Sequence, residues 1–520
     1  MEEEQGDSED VSVEDEQGIP AGGTNRGVRS GGNQADANEG ESRGTQPNET
    51  ASKARSPADI ADDPEIWRQV EGWELGPMCC SAQPFLFRKL PPKILGARLI
   101  ALEKPGGGVR PIAIGEAIIR LTAKAALRKL SPEIRKFFLP VQFGVAVPGG
   151  AETVIHATRA LLKEKPSRIA IHLDVENAFN SVERGSFFTA LKWTALEPLL
   201  PLVRTLYGEP ARLLLDPGFD ERYIESTRGV REGDPLGPML FAAAIQPTLL
   251  SAAARCPNTM VLAYADDITI IGEPAEAIKG VQIITEELRK CGLRCNLEKS
   301  SAWCPAGCAD VLPEGLVAAV DGIRVLGSPI GTREYGRRSL RATLRTMASP
   351  LTLIGKLHPQ HALLLLSRCV SRRISYLLRT TPADTLPLVE WRDWSEELLW
   401  TALKAAKIHA PVDELEQSLV WRQATLPVCL GGLGLIDPLS EAPAAYLASL
   451  HAANTLLRHM TLTPDNPLQL VADLVSPMGG VQGAAEGEVT LLDLRNRLPD
   501  QAREILKAQH QKGELIDLGE

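Results

Sequence analysis

The chain has 520 residues, of which 44% are hydrophobic and 23% charged, a composition typical of a globular protein long enough for two or three domains. Its formal net charge of −10 is unevenly distributed, because residues 1–60 and 461–520 are acidic whereas residues 61–460 hold 46 basic and 42 acidic side chains. The acidic total therefore does not exclude a nucleic-acid partner for the mildly basic central part.

The nine cysteines show no even pairing pattern, and no apolar stretch follows a basic start at the N-terminus. We therefore expect a reducing compartment, nuclear or cytoplasmic rather than secreted, with no membrane partner and no run that approaches a membrane span. Four cysteines have a spacing that only superficially resembles a zinc site, and we favour incidental thiols over zinc. They are Cys291, Cys295, Cys304 and Cys308.

The N-terminal residues 1–63 are rich in Glu, Asp, Gly, Ser, Asn and Gln, which predicts a disordered acidic tail. From about residue 95 to 330, helical periodicity alternates with short β-rich runs, so the fold is either α/β or α+β. Residues 117–130 predict an amphipathic helix with a basic face, whose charges either meet a polyanion or are only solvated.

Further along the chain, residues 169–173 alternate as in a buried strand, and Asp174 follows at the C-terminal end. Residues 213–226 predict a hairpin with its turn at Pro217 and Gly218. Beyond Gly331 the chain becomes Leu-, Ala- and Arg-rich with helical periodicity, which predicts a separate helical subdomain. Residues 456–520 are mixed and acidic, and the sequence indicates no role for them.

Asp266 and Asp267 are adjacent at the bend between two apolar, β-branched runs. Adjacent carboxylates on a tight turn repel each other and stabilise no core, so the pair predicts a divalent cation and hence phosphoryl transfer. Two Mg²⁺ ions about 3.5–4 Å apart are normally bridged by carboxylates from different strands, which makes Asp174 the natural third ligand. A helix N-cap is the alternative explanation for Asp174.

Seven segments, taken in order, resemble the reverse transcriptases of the non-LTR (LINE-type) retrotransposon class. They include Lys-Pro-Gly-Gly-Gly-Val-Arg at 104–110, Arg-Glu-Gly-Asp-Pro-Leu at 231–236 and Tyr-Ala-Asp-Asp at 264–267. The full set is residues 104–112, 142–150, 174–182, 229–238, 264–267, 292–299 and 325–331. The resemblance covers about residues 95–335 and extends more weakly to about 450.

This resemblance implies an α+β right-hand polymerase, with fingers and an antiparallel palm sheet in residues 64–335 and a helical thumb in residues 336–455. It implies an RNA-directed DNA polymerase that extends a DNA primer with dNTPs on an RNA template, using two Mg²⁺ ions or Mn²⁺ in their place. RNA-templated RNA synthesis is a second enzymatic interpretation.

The resemblance also implies roles for individual residues. Asp174 and Asp266 would be the direct metal ligands, with Asp267 more dispensable. Lys299 would protonate or neutralise the departing pyrophosphate, in a loop that Gly292 and Asn296 shape.

The incoming nucleotide would be bound from the fingers side by Lys104 and Arg110, which flank a flexible glycine turn. Phe179 would exclude a 2′-hydroxyl, although an apolar helix face also predicts a core phenylalanine there. The other nucleotide-binding positions are Glu232 and Gly233. The small hairpin that grips the primer end would contain Leu326, Gly327 and Gly331, and the Gly-rich residues 431–435 predict a turn that closes the thumb.

At position 232 the chain departs from the family, because Glu232 stands where members usually have glutamine. An ionised glutamate cannot donate a hydrogen bond and adds negative charge near a triphosphate, an effect that Arg231 would offset in part. A catalytically weakened or inactive nucleic-acid-binding remnant is therefore the alternative to an active polymerase.

The sequence shows no segment that could house a DNA-nicking endonuclease. We expect a polymerase core alone: a partial copy of an element, a domesticated descendant, or a protein that works with a separate endonuclease.

Overall fold

The computed structural model describes residues 92–103, 109–215, 222–307, 312–382, 385–408 and 419–457. The predicted N-terminal tail, Lys104, the turn at Pro217 and Gly218, Cys308 and nearly all of the C-terminal segment lie outside these ranges. The described residues mix helices with sheets that are mainly antiparallel, which confirms the α+β class.

The described strands form three sheets. In chain order the strands are β1 Ala97–Glu103, β2 Val109–Gly115, β3 Ile169–Val175, β4 Ala211–Leu214, β5 Tyr223–Ser226, β6 Thr259–Tyr264, β7 Asp267–Gly272, β8 Cys295–Trp303, β9 Val317–Ala318, β10 Gly322–Val325 and β11 Ser328–Gly331. The central sheet has the order β6-β7-β3-β8-β9, and every neighbouring pair is antiparallel except β8 with β9. The other sheets are β2-β1-β4-β5, which contains the predicted hairpin, and β10-β11.

The helices cover these sheets and form the C-terminal part of the described chain. In chain order they are α1 Pro92–Leu95, α2 Ala117–Lys129, α3 Ser131–Phe138, α4 Gly150–Glu164, α5 Ala178–Ser181, α6 Arg184–Leu191, α7 Leu200–Tyr207, α8 Gly237–Arg255, α9 Pro274–Lys290, α10 Arg333–Ala348, α11 Leu351–Ile354, α12 Pro359–Leu365, α13 Ser375–Thr380, α14 Leu388–Ala406, α15 Leu419–Thr425 and α16 Pro438–Leu457. Helix α2 is the predicted basic helix.

The central sheet is buried on both faces. Ile171 and Leu173 of β3 are fully buried in the core that includes α8 and α9, whereas Ala170 faces the cluster that contains Leu161 of α4. Apolar runs on β3, β6 and β7 are expected for strands covered on both sides.

Helix α8 is the one described helix long and apolar enough to cross a membrane, and 67% of that stretch is buried inside the fold. We expected that no run approaches a membrane span, and by length and composition this expectation was wrong. A helix at the centre of a core needs the same apolar side chains as a spanning helix.

The C-terminal helices enclose a second core around Trp391 and Trp394, built entirely from residues beyond 339. This is the helical subdomain that the Leu-, Ala- and Arg-rich pattern indicated. The positions of the boundaries at 64, 335 and 455 stay predictions.

A polar network joins α4 beside the central sheet to α13 and α16 of the helical part. Arg379 donates to both carboxylate oxygens of Glu152, at 2.7 and 2.9 Å, and Ser449 donates to the same carboxylate. His156 Nε2 lies 2.9 Å from Ser449 Oγ. Because the serine proton is directed to Glu152, Nε2 must be the donor, and the imidazole is held in its neutral Nε2-protonated form.

We predict that His156 makes the fold acid-sensitive. Burial, with the nearby Arg159, lowers the pKa of His156 to about 3. The unfolded chain binds a proton below pH 6.5 and the folded chain does not, so stability falls as the pH drops below 6.5. The free energy of unfolding can be measured with urea for the natural chain and for His156→Gln. The difference between them should be about 2 kcal/mol less favourable to the natural chain at pH 5 than at pH 7.5.

The matched control for this measurement is His361→Gln, which alters an exposed histidine of α12. The change between the two pH values should be larger for His156→Gln than for His361→Gln. A constant difference for His156→Gln would contradict the prediction.

Candidate active site

The three predicted carboxylates lie at one end of two neighbouring strands. Tyr264 pairs with Asp267 across the β6-β7 hairpin, so Ala265 and Asp266 form its tight turn, with Ala265 at a φ of 54°. Leu173 of β3 pairs with Ile268 of β7, which places Asp174 beside the start of β7. The topology therefore brings together residues that are about ninety positions apart in the sequence.

The side chain of Gln142 holds this turn from the adjacent segment. Its Oε1 accepts hydrogen bonds from the backbone amides of Ala265 and Gly144, at 2.8 and 2.9 Å, and its Nε2 donates to the Ala265 carbonyl at 3.1 Å. Gly144 permits this approach, because a Cβ there would lie 2.4 Å from the Ala265 amide nitrogen. Sequence reasoning assigned no role to Gln142, because these bonds link distant residues.

The carboxylates are half-buried and repel one another. Burial, followed by the charge of Asp267, raises the pKa of Asp266 to about 6, and Asp174 and Glu232 add to the shift. Burial and Asp174 likewise raise the pKa of Asp267. His172 Nε2 lies 3.6 Å from Asp267 Oδ1, and burial lowers the pKa of this histidine.

Closely spaced carboxylate oxygens on two strands are the donor chemistry that divalent Mg²⁺ or Mn²⁺ requires. A bound cation would also remove the repulsion that raises the pKa of Asp266. As the side chains stand, the described ranges contain no group of three or more His, Cys, Asp or Glu arranged to hold a metal. The donor set fits a divalent cation, but a three-ligand arrangement is not preformed.

Lys299 lies on an irregularity of β8 next to Asp174. His172 pairs with Ser301 and Asp174 pairs with Asn296, so residues 297–300 bulge out of the ladder. The Asn296 side chain accepts from the Lys299 amide at 3.1 Å, which agrees with its predicted role in shaping this loop. Ser300 Oγ accepts from the Asp174 amide at 3.0 Å and donates to the Asn296 carbonyl at 2.6 Å.

A cavity of about 950 Å³ opens beside Asp174 and Asp266. Its basic side chains come from β2, from α2, from the 229–236 loop and from the β8 bulge, and Asp267 is not among its lining residues. The basic lining residues are Arg110, Arg120, Lys124, Arg231 and Lys299. The basic face of α2 therefore contributes to this cavity. From the sequence alone, contact with a polyanion and simple solvation were both open explanations for this face.

Glu232 lines the same cavity and is held by two neighbours. Asn180 Nδ2 donates to its Oε1 at 3.1 Å, and Arg110 Nε lies 3.7 Å from its Oε2. Gly233 adopts a φ of 104°, and a Cβ there would lie 2.8 Å from the Ala113 carbonyl. The 229–236 loop thus packs closely on β2, and Glu232 lines the same cavity as Asp174 and Asp266.

Arg231 is 7% exposed, and it donates to the carbonyls of Leu95 and Leu206 at 2.9 and 3.0 Å. Its guanidinium stacks over the Tyr207 ring at 4.8 Å and lies 3.8 Å from Asp234 Oδ2. Arg231 also lines the cavity that contains Glu232, so the expectation that it offsets part of the Glu232 charge stays a prediction. Arg110 is the cation that lies beside the Glu232 carboxylate.

Phe179 packs in the core and also lines the cavity. Its ring stacks on Phe241 of α8 with the centroids 4.8 Å apart, as the core phenylalanine that an apolar helix face predicts. It lines the cavity that contains Asp174. Its role in excluding a 2′-hydroxyl stays a prediction.

Comparison with known proteins identifies this region. Residues 102–330 match the family model described as reverse transcriptase (RNA-dependent DNA polymerase). These residues are a reverse transcriptase domain. The retrotransposable element SLACS 132 kDa protein of Trypanosoma brucei gambiense is 31% identical to this chain over 214 residues. The alignment covers 40% of this chain and 17% of that protein.

The chain is also similar to a second retrotransposon protein and, weakly, to a solved structure. A type-2 retrotransposable element R2DM polyprotein of Drosophila melanogaster is 27% identical over 36% of this chain and 19% of its own length. The chain thus spans less than a fifth of these relatives, and they support a reverse transcriptase domain of the non-LTR retrotransposon class. A structure of apo telomerase from Candida tropicalis is 12% identical, with a TM-score of 0.37 over 74% of this chain and 69% of that one.

The reverse transcriptase domain ends with the β10-β11 hairpin that was predicted to grip the primer. Leu326 and Gly327 form its turn with φ values of 47° and 83°, and Gly331 ends β11. Tyr376 of α13 donates to the Leu326 carbonyl at 2.5 Å. Arg159 of α4 donates to Ser328 Oγ at 3.0 Å and to the Thr380 carbonyl at 3.1 Å, so the hairpin is fixed to two helices.

We predict that Gln142→Met reduces nucleotide incorporation by about a hundredfold, because loss of the turn contacts costs roughly 2–3 kcal/mol of catalytic positioning. The control is Gln246→Met, which removes a buried glutamine that donates to the Phe137 and Phe138 carbonyls at 3.0 Å, away from the turn. Both variants should lose stability in thermal unfolding. Unchanged activity per mole of folded Gln142→Met protein would show that Gln142 acts only through stability, and equal losses in the two variants would contradict a specific role at the turn.

We predict that Tyr376→Phe shortens the products of primer extension, because the hairpin turn loses its contact with α13. The Michaelis constant for primer should rise about tenfold, equivalent to about 1.4 kcal/mol, while that for dNTP changes little. Tyr223→Phe, on the exposed β5, is the control. A selective change in the dNTP constant would contradict the assignment.

Proposed function

We propose that the chain is an RNA-directed DNA polymerase, derived from a retrotransposon, that extends the 3′-hydroxyl of a primer with dNTPs on an RNA template. The observation that carries this proposal is the set of half-buried carboxylates that open onto a cation-lined cavity within a reverse transcriptase domain. Phosphoryl transfer requires this combination of clustered acids for metal binding and cations for the triphosphate.

In this proposal Asp174 and Asp266 would hold two Mg²⁺ ions, or Mn²⁺ in their place. Bound divalent cations lower the pKa of the attacking hydroxyl and neutralise charge on the triphosphate. Arg110 and Arg120, which line the cavity, would contact triphosphate oxygens, and the Lys299 ammonium would supply a proton to the pyrophosphate that leaves. Phe179 would stack against the sugar and disfavour a 2′-hydroxyl, which selects dNTPs over rNTPs.

Glu232 favours a second candidate, a nucleic-acid-binding remnant with little or no turnover. Its carboxylate adds to the negative charge that raises the pKa of Asp266, and its proximity to Arg110 competes for a cation that would otherwise meet the triphosphate. A salt-sensitive affinity for RNA, with no incorporation, is the behaviour expected of such a remnant.

The test is primer extension on poly(rA)/oligo(dT) with Mg²⁺ and dTTP. The natural chain should incorporate dTTP in preference to UTP, and Asp266→Asn, which keeps the shape and removes the charge, should lower incorporation by about a thousandfold or more. Glu232→Gln should raise kcat/KM for dTTP by about tenfold, because it removes a repelling charge worth roughly 1.4 kcal/mol.

The outcomes separate the two candidates. Incorporation by the natural chain that depends on Asp266 supports the polymerase. If Glu232→Gln alone extends the primer, the natural chain is a disabled polymerase. If neither protein does so while both bind RNA in a salt-sensitive manner, the remnant is the better description.

A further inference from the structure

A second cavity, of about 720 Å³, lies next to the catalytic one and has no role in the proposed reaction so far. Glu176 and Asn177 line both cavities and form the rim between them. Along the paired strands β3 and β8, Asn296 faces the catalytic cavity and the preceding Cys295 lines the second one. This alternation is expected for successive side chains of a strand. We call this second cavity the arginine cleft.

The arginine cleft is lined by Arg228, Arg289 and Arg294, and its acidic lining residue is Glu176. Arg228 is fixed in place, because its Nε donates to the Ser181 carbonyl at 2.7 Å and its Nη2 donates to the Gly292 carbonyl at 2.9 Å. Nη2 also lies 3.2 Å from Glu183 Oε1. The Arg228 guanidinium is therefore held in one position, and Glu183 partly neutralises its charge.

Arg289 and Arg294 are exposed, and neither forms an ion pair with a carboxylate in the described part of the chain. Arg289 lies in the last turn of α9, and Arg294 directly precedes β8, whose bulge contains Lys299. The Arg294 carbonyl accepts from the Glu176 amide at 2.9 Å, so this arginine is tied to the rim of the catalytic cavity. Two guanidinium groups with free donors thus converge on a cleft beside the reaction site.

The lining of the cleft indicates the class of ligand. It contains no aromatic side chain on which a base could stack, a feature that single-stranded nucleic-acid sites normally have. It does contain guanidinium groups, which bind phosphate oxygens in a bidentate manner, and the hydroxyl of Ser181. A compact polyphosphate matches this chemistry better than a nucleobase.

We propose that the arginine cleft binds a pyrophosphate group: the pyrophosphate that leaves the catalytic cavity, or the terminal phosphates of a dNTP that enters it. The proposal rests on the proposed polymerase function for the source of this ligand. Binding itself requires no turnover, so it can be measured on the full chain whether or not the chain polymerises.

The experiment is titration of the full chain with pyrophosphate at low ionic strength in EDTA, followed by ³¹P NMR, with dTTP in a parallel titration. The double variant Arg289→Gln/Arg294→Gln should bind pyrophosphate at least about tenfold more weakly, because two charge-assisted contacts are lost. Arg289→Lys/Arg294→Lys should retain part of the affinity. Arg255→Gln, an exposed arginine at the end of α8, is the control. Lys299→Gln, in the catalytic cavity, reports any pyrophosphate that binds there instead.

Weaker pyrophosphate binding only in the double glutamine variant supports the cleft, and a parallel loss for dTTP shows that it also receives incoming nucleotide. No measurable pyrophosphate binding by the natural chain overturns the proposal. Loss of binding in Lys299→Gln but not in the double variant also overturns it, because the ligand would then occupy the catalytic cavity. If the double variant loses affinity for a short RNA but not for pyrophosphate, the cleft is a nucleic-acid surface instead. Thermal unfolding of each variant checks that it is folded.

Discussion

Repulsion among half-buried carboxylates at the ends of β3 and β7 is the constraint on which the rest of this structure depends. Burial and mutual charge raise the pKa of Asp266 and of Asp267. The ionised acids therefore do not stabilise the folded state on their own. Such an arrangement persists only if several surrounding contacts hold it in place. Gln142 supplies those contacts at the β6-β7 turn, and Ser300 supplies one at Asp174.

The same constraint explains how the neighbouring segments are arranged. The β8 bulge brings Lys299 beside Asp174, and Arg120 and Lys124 of α2 line the same cavity as Asp174 and Asp266. Glu232 opposes this trend, since it adds negative charge and lies next to Arg110. In the proposed function, the balance between these charges would set the difference between turnover and binding alone. The hairpin that follows is fixed by α4 and α13, which couples it to the helical part.

Much of this could be predicted from sequence because the signals are local. The basic helix α2, strand β3, the β6-β7 bend and the β4-β5 hairpin follow from residue periodicity and turn composition. The resemblance of the ordered motifs implies the β10-β11 hairpin and the roles of the carboxylates. The role of Gln142 could not be predicted, because its bonds to Ala265 span 123 residues. The buried position of Arg231 and the bulge of β8 also depend on tertiary packing, and neither leaves a pattern in neighbouring residues. Lys104 lies outside the described residues, so its role stays a prediction.

The most direct test of the central claim is thermal unfolding of the natural chain and of the Asp174→Asn/Asp266→Asn variant, each with EDTA and with Mn²⁺. If the acids exist to hold a divalent cation, the variant should melt at a higher temperature than the natural chain in EDTA, because two repelling charges are gone. Mn²⁺ should raise the melting temperature of the natural chain and leave the variant unchanged. A variant that melts lower in EDTA, together with equal Mn²⁺ shifts for both proteins, would contradict the account.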